Sequence, residues 1–141
     1  MGRSFTLKGL IDSGNQLYDP ISKMPVMIVS IAKLKDQLPR EIMDIAKNPD
    51  CVLSGIGNFS PELENKMRVI PCKVVGQEHQ LIIAFNPESI KIVTEQESYK
   101  ADKGLISFTV QELSGDDSFQ CIIHPKMMTG MANADSAVKV S

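Results

Sequence analysis

A single carboxylate in this chain stands where it can do chemistry. Gly9-Leu10-Ile11-Asp12-Ser13-Gly14-Asn15 runs two apolar residues straight into an acid, a hydroxyl residue and a glycine. Two carboxylates that share one proton across a bound water can hydrolyse a peptide. The ionised one takes a proton from the water, and the protonated one polarises the scissile carbonyl. Like charges ~3 Å apart cannot both ionise, so their titration splits into coupled steps. The neighbours of Asp12 suit such an acid. Leu10 and Ile11 anchor it at the end of a buried strand. The Ser13 hydroxyl can bond across the pair and brace two loops against each other. Gly14 permits a tight turn and lets its amide approach the carboxylate. The loop occurs once in the sequence, so the second carboxylate has to come from another copy.

The same tripeptide also serves as a surface Asx turn, where the acid caps the turn and the glycine supplies positive φ. On that reading the chain is a non-catalytic β-barrel interaction module. A third reading groups Asp116 and Asp117 with Asp12 as metal ligands. Against it, Gly115-Asp116-Asp117-Ser118 has the composition of a solvated turn, and the spacing is not that of an EF-hand loop. Cys51, Cys72 and Cys121 are odd in number and widely separated, and His79 and His124 are solitary. They predict free thiols rather than a disulfide framework, with no metal and no cofactor.

The elements that must hold Asp12 are mostly strands. Phe5-Thr6-Leu7-Lys8 alternates apolar with polar and continues through Leu10-Ile11 to the turn formers of the Asp12 loop. Val26 to Val29 reads as a short buried strand. The period then changes: with Pro39 at the first helical position and Ile42, Ile45 and Ala46 on one face, residues 39–47 read as an amphipathic helix. Strands return around Val69–Val74, Leu81–Phe85 and Ile90–Ile92, with a hairpin turn at Gly76–His79. Tyr99 to Lys103 reads as a polar connection. Gly104–Phe108 and Phe119–Ile123 read as two further strands, and the tail 127–141 as disordered. Many short strands with one or two short helices predict an all-β, mainly antiparallel, closed barrel.

Composition narrows the function without naming it. The 141 residues suit one domain, and 43% hydrophobic with 23% charged is ordinary for a globular chain. A net charge of −2 gives no electrostatic reason to expect nucleic acid. No apolar window is long enough to span a bilayer, and no signal-peptide pattern opens the chain, so the fragment is expected to be soluble.

The wider block around Asp12 carries a resemblance. Gly9 through Pro20, with Pro25-Val26-Met27-Ile28 after it, resembles the C-terminal domain of the sporulation sigma-E factor processing peptidases, the stage II sporulation protein GA family. Arg68–Cys72 and Phe119–Pro125 resemble it too, so the likeness covers most of residues 5–125. It implies a retropepsin-like aspartic peptidase over residues 3–126 that works as a homodimer, with Asp12 catalytic and Ser13 and Gly14 supporting it. Gly55-Ile56-Gly57 resembles the tip of a retropepsin flap, and Leu105-Ile106-Ser107 the apolar backing of the catalytic loop. The chain departs from the pattern at Asn15, usually alanine, and at Ser107, usually glycine. The resemblance further implies a protein substrate, the pro-form of sigma-E. It implies a membrane-spanning N-terminal domain that this chain lacks, a place on the mother-cell side of the sporulation septum, and activation by a protein secreted from the forespore. Residues 3–8 and Phe119–Ile123 are expected to pair across the dimer axis.

Overall fold

Strand alternation begins at once. In β1 (Phe5–Ile11), Leu7 and Gly9 are buried while Thr6, Lys8 and Leu10 are exposed. The structure is a computed structural model that describes residues 5–12, 14, 17–32, 34, 37–48, 59–72, 80–88, 90–93, 98–101, 104–116, 118–128 and 136–140. Eleven more described elements follow: β2 (Val26–Ser30), α1 (Arg40–Lys47), α2 (Pro61–Lys66), β3 (Met67–Cys72), β4 (Gln80–Phe85), β5 (Ile90–Val93), β6 (Ser98–Ala101), β7 (Leu105–Thr109), β8 (Cys121–Ile123), a single 3-10 turn (Pro125–Met128) and β9 (Ser136–Val140). The fold is therefore mostly β with two short helices, as the sequence predicts.

The expected closed barrel is not what the strands make. They form one nine-stranded sheet in the order β3-β4-β7-β2-β8-β1-β9-β5-β6. No pairing joins β3 to β6 among the described residues. The sheet is also mixed: β1 runs parallel to β8 and β2 parallel to β7, while the other pairs are antiparallel. The parallel pairs arise from two interlocked crossovers. Consecutive strands β1 and β2 lie on either side of β8, and consecutive strands β7 and β8 lie on either side of β2. Short-range patterning does not show such crossovers, because they depend on which distant strands meet.

Two further expectations change. Ser98–Ala101, overlapping the Tyr99–Lys103 stretch read as a polar connection, is strand β6 and pairs with β5. Ser136–Val140, within the tail read as disordered, is strand β9, inserted between β1 and β5. Small and polar residues lower strand propensity, but two flanking partners satisfy the backbone on both sides. In the strands expected to pair across a dimer axis, the described residues 5–8 and Cys121–Ile123 pair within the chain instead. Gly9, Leu10 and Ile11 register with Cys121, Ile122 and Ile123, and Phe5 to Gly9 register with β9.

Both faces of the sheet are covered. On one, Met27, Val29, Ile83, Phe85, Ile106, Phe108 and Ile123 pack with Leu34, Leu38 and the α1 residues Ile42, Met43 and Ile45. An isolated eight-residue helix is unstable in water. Burying three apolar side chains, at about 1.5–3 kcal/mol each, is what holds α1 in place. Pro39 sits just before the helix with extended backbone, one position earlier than expected. The second helix was legible after the fact: the Ser60 hydroxyl accepts the Leu63 N–H at 3.3 Å and Pro61 opens the first turn. On the other face Val26, Ile70, Ala84 and Leu105 form a smaller cluster with Leu17, Met24 and Ile82.

Gly9 sets how closely β1 and β8 approach. A Cβ there would stand 2.5 Å from Ile123 Cδ1 and 3.0 Å from Cys121 Sγ. Gly9→Ala is expected to destabilise the domain by about 1–3 kcal/mol through overpacking. Ile123→Val removes the atom in closest conflict and should restore part of the loss. Thermal denaturation of the single and double variants checks this; equal melting temperatures for Gly9→Ala and wild type would contradict it.

Candidate active site

Asp12 leaves β1 at the end that faces the crossover. Its N–H donates to the Ile123 carbonyl at 3.2 Å, extending the β1–β8 ladder one step past the strand. Its Oδ1 accepts the Gly14 N–H at 2.8 Å. A Cβ on residue 14 would lie 3.2 Å from that same oxygen, so only glycine allows the amide so close without a shift. The backbone thus supplies a donor to one carboxylate oxygen, as the turn chemistry predicts. Asp12 is half-buried.

After the loop the chain returns through a tight hairpin. Tyr18 bridges Pro25, and the Val26 N–H donates to the Leu17 carbonyl at 3.0 Å. Buried Asp19 closes the turn: Oδ1 accepts the Ile21 N–H at 3.0 Å and Oδ2 the Ser22 hydroxyl at 2.7 Å. These bonds hold the Asp19 carboxyl below its ordinary range. Leu17 and Met24, flanking the turn, pack against the cluster of Val26, Ile70, Ala84 and Leu105. The Asp12 loop is therefore anchored at both ends, to β8 before it and to the smaller core cluster after it.

Beside Asp12 runs an apolar row. Leu10 registers with Ile122, and Ile122 registers with Ile28 on β2. Leu10 is 40% exposed, and Ile122 and Ile28 are half-buried. Alternation carried one step beyond β1 puts Asp12 on the Leu10 side of the sheet. A carboxylate next to a partly exposed apolar row can hold an apolar side chain while acting on the backbone that carries it.

The residue backing Asp12 is not the one expected. β7, with Leu105-Ile106-Ser107, lies beside β2 and is separated from β1 by β2 and β8. Ile123 occupies that place, followed by His124. His124 is 2% exposed and packs edge-on against the Tyr18 ring, with centroids 4.4 Å apart. In residue order the only sign of this is one histidine ahead of a proline. Ser13 and Asn15 lie outside the described residues, as do Gly55, Ile56 and Gly57 of the expected flap and the Gly76–His79 turn.

A family model described as sporulation factor SpoIIGA, a peptidase family, matches residues 1–127. The chain belongs to the SpoIIGA family. A sporulation sigma-E factor-processing peptidase of Bacillus subtilis (strain 168) is 43% identical over 128 residues, covering 89% of this chain and 41% of that protein. One of the same name from Priestia megaterium (strain ATCC 12872 / QMB1551) is 37% identical over 126 residues, with the same coverage of 89% and 41%. The chain thus spans about two fifths of these SpoIIGA relatives. No solved structure matches it. No described helix is long and apolar enough to cross a membrane.

The remaining polar cluster of this SpoIIGA chain is occupied by its own turn. Asp116 Oδ1 accepts the Ser114 hydroxyl at 2.5 Å and the Ser118 N–H at 3.2 Å. These bonds bring its carboxyl down to about 2. Asp117 lies outside the described residues, and no described group of histidine, cysteine and acid side chains is arranged to hold a metal. Cys121 is a buried free thiol, pushed up to about 12 by desolvation.

Proposed function

We propose that this chain is the peptidase domain of an aspartic endopeptidase that processes the sigma-E precursor, with a dyad made of Asp12 from two copies. The observation that carries the reading is the placement of Asp12. It sits at the mouth of two interlocked crossovers, with a backbone donor on one oxygen and an apolar row beside it. In a dyad, one Asp12 takes a proton from the bound water and the other polarises the scissile carbonyl. Leu10, Ile122 and Ile28 seat an apolar substrate side chain next to the bond that breaks. Ser13 supports the catalytic loop in this reading, and Gly55, Ile56 and Gly57 contribute to substrate binding.

Residues 3–126 form the catalytic unit in this reading, one retropepsin-like half of a symmetric enzyme. Membrane-spanning chain preceding the domain holds it on the mother-cell face of the septum, where a forespore-secreted protein activates it. Tethering in two dimensions raises the effective concentration of a second copy, which favours assembly of the dyad.

The class of chemistry has its own test. A peptide built on the precursor's cleavage region, with a hydroxyethylene group replacing the scissile amide, resembles the tetrahedral intermediate. Such analogues bind ~10²-fold or more tighter than substrate when the site is complementary to the transition state. It is expected to inhibit processing by the full-length protein, and chelators are expected to leave processing unchanged. Loss of activity on chelation, or no inhibition by the analogue, would overturn the aspartic mechanism.

A further inference from the structure

His124 is the buried polar residue that the catalytic reading leaves without a role. Its Nδ1 accepts the Lys126 N–H at 3.0 Å. That bond puts the ring proton on Nε2, and Nε2 has no hydrogen-bond partner among the described residues. A buried donor left unpaired costs about 1–3 kcal/mol. A phenyl ring in the same place would avoid that cost. Burial and the Lys126 charge both hold the imidazole below its ordinary range, so it stays the neutral donor.

The neighbours of His124 are the two ends of the Asp12 loop. The residue before it, Ile123, accepts the Asp12 N–H where the chain enters the loop. The Tyr18 ring contacts the imidazole where the chain leaves it. Two adjacent residues thus tie the loop stems to the end of β8, Ile123 through its carbonyl at the entry and His124 through its ring at the exit. We propose that His124 is a positioning residue for Asp12: its ring packs on Tyr18 and fixes the exit stem beside the Ile123–Asp12 backbone bond, and its buried Nε2–H is a donor held for a group that arrives when a second copy assembles. The inference rests on the aspartic reading of the site.

The two nitrogens can be separated by substitution in the full-length protein. His124→Asn keeps an acceptor near the Nδ1 position for the Lys126 N–H and removes the Nε2 donor. His124→Gln places an amide donor near the Nε2 position. His124→Phe keeps the ring shape and removes both nitrogens. Misplacing a catalytic group by about 1 Å can cost ~10²-fold. Asn and Phe are therefore expected to lower kcat for precursor cleavage by about 10- to 100-fold with KM nearly unchanged. Gln is expected to recover most of kcat. The melting temperature of the Phe variant should equal or exceed that of wild type. Wild-type kcat in the Asn variant, or losses of kcat that track the melting temperature across all three, would assign His124 a purely structural role. Asp12→Asn assayed alongside separates the two failures. If it is inactive while the His124 variants are normal, only the positioning role falls. If it is active, the aspartic reading falls and the positioning role with it.

Discussion

Asp12→Asn is expected to abolish processing of the sigma-E precursor while the domain keeps its fold. The change is nearly isosteric, and Oδ1 of the carboxamide can still accept the Gly14 N–H that binds the carboxylate at 2.8 Å. Asp12 is half-buried and forms its other bond through the backbone, to Ile123, so the loop keeps its two ties. What disappears is the proton inventory. A carboxamide can neither take a proton from water nor share one with a partner carboxylate. Loss of a general acid–base group costs roughly 10²–10⁴-fold, and a dyad of two Asp12 residues would lose both roles at once. Cleavage of the precursor in sporulating cells and thermal denaturation of the protein are the two measurements. An active variant with a normal melting temperature would overturn the aspartic reading and leave Asp12 only capping a turn.

Mixing wild-type chains with Asp12→Ala chains is expected to poison activity more than dilution does. In a symmetric dimer each copy contributes the same residue, so random pairing at equal amounts leaves about a quarter of dimers with both carboxylates. A monomeric enzyme would keep about half of its activity under the same mixing. Excess variant should then drive the remaining activity towards zero along the square of the wild-type fraction. Co-expression of tagged full-length chains at several ratios, with precursor cleavage as the readout, distinguishes the two curves. A linear dependence on the wild-type fraction would sink the shared dyad and leave Asp12 acting alone. The two experiments are independent: the first concerns the chemistry of Asp12, the second how many copies it takes to supply it.

Much of this site was legible in residue order because its signals are local. An apolar strand running into Asp12, a glycine two residues on and turn formers after it follow from backbone stereochemistry over a few residues. The structure bears out the Gly14 N–H bond to Asp12 that this pattern predicts. The short helix at Arg40–Lys47 was legible for the same reason, through the spacing of Ile42 and Ile45. The strands β2, β4, β5 and β8 likewise follow from alternation over a few positions.

The rest was decided at long range. Residue order by itself determined that one acid, with its glycine and apolar lead-in, stands at the end of a strand, and that the chain is mostly β. Only the tertiary structure decided what lies beside it. Strand pairing joins residues more than a hundred positions apart, and neither partner carries a local mark of the other. Hence Ile123, rather than Leu105 to Ser107, lies beside Asp12, and β9 pairs with β1 despite its composition. The same physics turned an expected closed barrel into an open mixed sheet. Parallel neighbours come from crossovers, and crossovers are fixed by which buried faces fit together.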